Sequence, residues 1–123
     1  MKLSRGRIQR LRLPTAVALL LLSAAYAGGA MHAHAAAAGD VVSVDIAKFA
    51  FAPKDITVAP GTKIVWTNRD ETPHTVARAD KSFVSKGLDT DDRFEQTFSR
   101  EGDFAYVCSV HPFMTGVVHV HKP

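Results

Sequence analysis

The sequence predicts an all-β domain, a sandwich or barrel of short strands, preceded by a cleavable leader. Three observations predict this. From Asp40 onward, apolar and polar residues alternate with period two, the repeat of a half-buried strand. Turn residues break these runs at regular spacing, as in sandwiches and barrels. No window in the same region carries a long apolar repeat of helical period.

The leader comes first in chain order. Lys2, Arg5, Arg7, Arg10 and Arg12 precede any acidic residue, and the apolar run Ala16–Leu22 follows, trailing through Ala27. Gly28, Gly29 and small residues then lead to Gly39. A basic region, a short apolar core and a small-residue exit are the parts of a secretory signal peptide. Ala33-His34-Ala35 and the alanines after it fit the cleavage pattern, which places cleavage within residues 35–39. The expected division is a signal peptide over 1–38 and one folded domain over 39–123. With no Arg-Arg pair, the leader reads as Sec-type rather than twin-arginine. An uncleaved anchor is the alternative. A spanning helix needs about 20 apolar residues, and this core is shorter and broken by Gly28, Gly29, His32 and His34. The mature protein is therefore expected to be exported, without stable membrane insertion.

The leader also explains the charge. The whole chain has 15 Lys+Arg against 12 Asp+Glu, net +3. Five of the basic residues lie before Asp40 and every acidic one lies at or after it, leaving ten against twelve, net −2. The basic balance belongs to the leader and is no nucleic-acid footprint. About 85 residues remain, enough for one small domain. A single cysteine excludes an internal disulfide, so the fold must rest on its core, helped by any bound metal.

The strands follow in order. Val42, Val44 and Ile46 alternate with polar or small residues, and Phe49 and Phe51 continue the run. Ile56-Thr57-Val58 closes at the turn Ala59-Pro60-Gly61. Lys63–Asn68 is a strand ending in polar residues, and Lys81–Asp92 reads as a polar, irregular excursion. Arg93–Phe98 leads to a turn at Arg100–Asp103. Phe104–Cys108 alternates strongly, and Gly116–His121 closes the chain. His119 and His121 share one face of that last strand, opposite Val118 and Val120. They read as a solvated face, with a second metal site as the alternative.

The chemistry concentrates in Cys108-Ser109-Val110-His111-Pro112-Phe113-Met114. Strand alternation puts Phe104, Tyr106 and Cys108 on one face, and two aromatics mark that face as inward. The short connection holds Cys108, His111 and Met114 at one end of the domain, and Pro112 stiffens it. His74, after Pro73, lies in a loop beyond the Trp66 strand and reaches the same end if the two strands lie side by side. Singly, each residue has an ordinary reading: a small hydrophobe, loop histidines, core filler. Jointly, a thiolate, two imidazoles and a thioether form a soft donor set suited to copper. It is the inventory of a blue-copper electron-transfer site. A thiol enzyme leaves Cys108 and His111 without an orienting group and Met114 without a role. A zinc hydrolase would seldom use a thioether. An adhesion-type sandwich leaves the donor set unexplained.

In these residues the chain resembles the cupredoxins, specifically the amicyanin branch with its short ligand loop. The likeness rests on Gly102–Cys108, His111-Pro112-Phe113-Met114, Lys63–Arg69 and Pro73-His74, and extends over 41–121. The resemblance implies an eight-stranded Greek-key β-sandwich with one type 1 copper. His74, Cys108 and His111 would be equatorial ligands and Met114 the axial one. It further implies a monomeric, non-enzymatic carrier of single electrons in the periplasm. Its redox protein partners, donor and acceptor, would dock transiently near His111, whose ring edge is the electron port. A copper carrier or store is the alternative function. Thr75 and Val110 depart from the family's Asn and Pro at those positions, which bears on reduction potential.

Overall fold

Alternation along the chain becomes alternation of burial wherever a strand has the core on one side. In Val41–Ala47 (β1), Val44 and Ile46 are buried while Val41, Ser43 and Asp45 face solvent. Ala50–Ala52 (β2) folds back on β1 through the two-residue turn Lys48-Phe49. Asp55–Val58 (β3) is short, and Thr62–Asn68 (β4) buries Ile64 and Trp66. Arg93–Phe98 (β5), Gly102–Val107 (β6) and Thr115–Val120 (β7) complete the set. The computed structural model describes residues 37 and 39–123, so the leader expected over 1–38 lies almost wholly outside the described residues. Among these, no helix is long and apolar enough to cross a membrane.

The strands form two sheets, β2-β1-β4-β5 and β3-β7-β6. β1 runs parallel to β4, and β3 parallel to β7. Parallel neighbours cannot be joined by tight hairpins, so the chain must cross between sheets, giving the expected β-sandwich. The core between the sheets takes Val44, Ile46, Ile64, Trp66 and Phe98 from one side and Val58, Tyr106, Val118 and Val120 from the other. Trp66 is its centre, edge-on to Tyr106 at 5.3 Å between ring centroids and within 6.3 Å of Phe83, Phe94 and Phe98. Burial pushes the Tyr106 hydroxyl up to about 12. Gly116 stands opposite Tyr106 across β6 and β7. A Cβ there would meet the phenol ring at 2.5 Å and the Lys54 carbonyl at 2.8 Å, so only glycine fits.

Three expectations change. Seven strands are seen among the described residues, against the eight implied by the resemblance, because residues 69–92 form only isolated bridges. This excursion is longer than 81–92, and it is not simply polar, since Phe83 and Leu88 anchor it in the core. The turn at Arg100 is also tighter: Gly102 and Asp103 already belong to β6. Gly102 has φ +140°, a region open to glycine and rarely used by other residues.

Candidate metal centre

His74 does not reach the cysteine through neighbouring strands, the route the sequence reading suggested. β4 and β6 lie in different sheets. Instead the 69–92 excursion leaves β4, crosses to the edge of the second sheet and returns to β5. Ala77 docks on Val107 of β6 by two backbone hydrogen bonds of 2.9 Å, and His74 pairs with Leu88 on the way back (3.1 and 2.8 Å). Buried Asn68 sets the departure angle. Its amide donates to the carbonyls of Thr72 (3.0 Å) and Leu88 (2.8 Å), while its oxygen accepts from the Asp70 N–H (3.0 Å). Both of its side-chain N–H donors and its one accepted hydrogen bond are thus directed into the loop that carries His74.

The second loop is held from within. Cys108 N–H donates to the Met114 carbonyl at 3.1 Å, and Met114 N–H to the His111 carbonyl at 2.9 Å. These bonds close the seven residues into a compact turn between β6 and β7. Cys108, His74 and Met114 are buried, and His111 is half-buried.

The donor atoms converge. Cys108 Sγ lies 3.8 Å from Nδ1 of both His74 and His111, and those nitrogens are 3.2 Å apart. First-row ions bind nitrogen at about 2.0 Å and sulfur at about 2.3 Å, so a trigonal S,N,N set has donors about 3.5–3.8 Å apart. The observed triangle fits a cation at its centre. Both Nδ1 atoms border the same point, and a bound cation would have to part them by only about 0.3 Å.

His74 is oriented by Asp70, whose Oδ2 lies 2.9 Å from Nε2. A carboxylate there accepts a hydrogen bond from Nε2–H and leaves the Nδ1 lone pair facing the centre, the usual arrangement for a metal-binding histidine. Asp70 also accepts the N–H groups of Lys48 (2.7 Å) and Phe49 (3.0 Å). Burial raises its pKa, but these N–H donors and His74 outweigh that and hold the carboxyl below its ordinary range. Lys48 and Phe49 both have positive φ, 54° and 57°, a left-handed turn usually made by Asn-Gly. Asp70 clamps this strained turn. The turn in turn sets the Phe49 ring edge-on to His74 (5.2 Å) and His111 (5.1 Å).

Thr75, the departure noted in the sequence, takes up the bracing role. Its N–H points at Cys108 Sγ (3.4 Å), and its hydroxyl bonds Ser109 Oγ (2.7 Å) and accepts from Ser109 N–H (2.8 Å). Burial pushes the Cys108 thiol up. In the metal-free protein the Thr75 and His111 N–H groups and the two imidazole rings beside the sulfur overcome it and bring the pKa down to about 6, so the thiolate, the form that binds metal, prevails at neutral pH. Val110 is exposed.

The sequence reading thus named four residues that the fold gathers at one end, and it missed Asp70 and Phe49. A carboxylate four residues before His74 was a usable signal for Asp70. Nothing in Lys48-Phe49 announced a left-handed turn, so Phe49 was read as part of an extended run.

Comparison with known proteins agrees. Residues 38–121 match the profile of the copper binding proteins of the plastocyanin/azurin family. Amicyanin-alpha of Methylorubrum extorquens is 30% identical over 118 residues, covering 92% of this chain and 99% of that protein. The crystal structure of amicyanin from Paracoccus versutus superposes with a TM-score of 0.62 at 30% identity, over 67% of this chain and 82% of that one. A copper-containing nitrite reductase from Thermus scotoductus gives the same TM-score at 28% identity, over 67% of this chain, which spans only 22% of that enzyme. A copper-fitting donor triangle, a two-sheet sandwich and these likenesses make one case: the chain belongs to the plastocyanin/azurin family of copper-binding proteins, as an amicyanin-like cupredoxin with one type 1 copper, of the blue-copper electron-transfer class.

Proposed function

We propose that His74 Nδ1, Cys108 Sγ, His111 Nδ1 and the Met114 thioether would hold the copper. The single observation that carries this reading is the buried donor triangle with sides of 3.2–3.8 Å. Bound copper supplies a one-electron couple between Cu(I) and Cu(II). The residues around it do the rest. Asp70 fixes the His74 ring, Thr75 and Ser109 fix the thiolate, and the sandwich restrains both, so few atoms move when the charge changes. Phe49 shields one side of the imidazoles from water. His111 is the half-exposed member of the set, and its ring edge is the path to a partner.

The partners we propose are redox proteins, one donor and one acceptor. They dock transiently on an apolar rim made by Phe49, Val110 and Phe113, the last 72% exposed. Redox encounters use small interfaces, and a rim of this kind suits a monomer that binds briefly and releases. Export through the 1–38 leader would place the 39–123 domain in the periplasm, where a buried, metal-bound thiolate escapes oxidation. The protein is read as a carrier and not an enzyme.

The test is direct. Copper-loaded protein should be intensely coloured through its thiolate–copper transition and give fast, reversible one-electron voltammetry with copper retained. Colourless protein, or copper lost on each cycle, would refute electron carriage; the latter would favour a copper store.

A further inference from the structure

A second group of side chains converges at the opposite end of β7. His119 and His121 project from one face, with rings stacked at 6.3 Å and only 16° between their planes. Asp103 stands directly across from His119 in the β6–β7 register. Its Oδ1 lies 2.7 Å from His119 Nδ1 and 3.4 Å from His121 Nε2. One carboxylate oxygen therefore faces two imidazole nitrogens, and all three donor atoms fall within 4.8 Å of one another. His119 is five residues beyond Met114, about 17 Å along a strand, so this group is separate from the copper centre.

We infer that Asp103, His119 and His121 form a second binding site for a divalent first-row cation of the zinc type. The donor chemistry supports it. Two imidazoles and a carboxylate are borderline ligands suited to zinc, and the set contains no sulfur to favour Cu(I). A tetrahedral ion with bonds of about 2.0–2.1 Å sets its donors about 3.3 Å apart. The His121–Asp103 separation of 3.4 Å already has this value. The His119–Asp103 pair must open from 2.7 Å, which its side chains, 37% and 62% exposed, can do by rotation without disturbing the core.

The backbone beneath is rigid. Asp103 and His119 sit on hydrogen-bonded partners, and His121 N–H donates to the Val58 carbonyl at the end of β3 (3.0 Å). Three strands therefore fix the Cα positions of the three ligands. Glu101 adds negative charge nearby, its Oε1 3.1 Å from Lys122 N. Three protein ligands leave a fourth position for water. The competing explanation is a simple cross-strand hydrogen bond between Asp103 and His119. It gives His121 no role and predicts no metal binding.

Calorimetric titration of the copper-loaded protein with zinc chloride decides between them, because the copper occupies the other site. The expected result is one equivalent of zinc bound with the visible absorption unchanged. His121→Ala and Asp103→Asn should each weaken binding at least tenfold, while both variants keep the visible band and the wild-type melting temperature without zinc. Zinc should also raise the melting temperature of the wild type and not of the His119→Ala/His121→Ala double variant. Absence of zinc binding, equal binding by the double variant, or bleaching of the visible band on zinc addition would each overturn the inference.

Discussion

The two histidine groups at the ends of β7 use similar side chains in opposite surroundings. At the copper end His74 and Cys108 are buried; His74 is held by its hydrogen bond to the Asp70 carboxylate and Cys108 by one from the Thr75 N–H. At the far end Asp103, His119 and His121 stand in solvent and depend on the strands for position. Burial makes the difference. A desolvated donor set must be satisfied completely, so its supporting residues matter as much as its ligands. An exposed set can exchange water for metal with little consequence to the fold.

The largest expected effect removes the element the far end lacks altogether. Cys108→Ser should abolish the intense visible band of the copper-loaded protein while circular dichroism keeps its β signature. Retained colour would break the ligand assignment. Next, Asp70→Asn keeps the shape and takes away the carboxylate that orients His74, so copper affinity should fall about 10- to 100-fold in competition titrations. If the comparison holds, Asp103→Asn leaves copper affinity unchanged.

Gly116→Ala tests the strand that joins the two ends. The added methyl would overlap the Tyr106 ring, and overpacking of this kind destabilises by about 1–3 kcal/mol, measured as a lower midpoint in urea. The disturbance should register near Met114 before it reaches His119.

A pH series sharpens the contrast in the metal-free protein. The folded-state pKa of Cys108 is depressed, to about 6. Its contribution to stability is therefore fully present above the unfolded thiol value and is lost as pH falls through about 6. Metal-free wild type should gain stability relative to Cys108→Ala between pH 6 and 9. Asp103, also depressed, by its bond to His119, gives a contribution that is present above the ordinary carboxylate value and is lost as pH falls from that value through the lower folded one. The smallest effect is at the turn beside the site. Lys48→Gly relieves a left-handed residue and should raise stability by about 0.5–1 kcal/mol, with the visible spectrum unchanged.

Much of this was legible in the chain. Val44, Ile46, Ile64, Tyr106, Val118 and Val120 declare themselves by period two and are buried as that period requires. Cys108, His111 and Met114 are close because only a few bonds separate them. Asp70 and Phe49 could not be recognised as partners, because what joins them is hydrogen bonding and ring packing between a hairpin turn and a loop 21 or 22 residues away. Phe83 and Leu88 were hidden in a polar stretch, where single apolar residues show no period.

By itself, the sequence determined the strand pattern, the soft donor set and the three ligand candidates of the 108–114 loop, since these depend on side-chain chemistry and short-range geometry. Only the tertiary structure decided that His74 joins them. Its approach depends on an excursion that crosses from one sheet to the edge of the other, fixed by Ala77 on Val107 and by Asn68 at the point of departure. Contacts between residues thirty or more positions apart are set by how the sheets stack, and no local pattern along the chain encodes that.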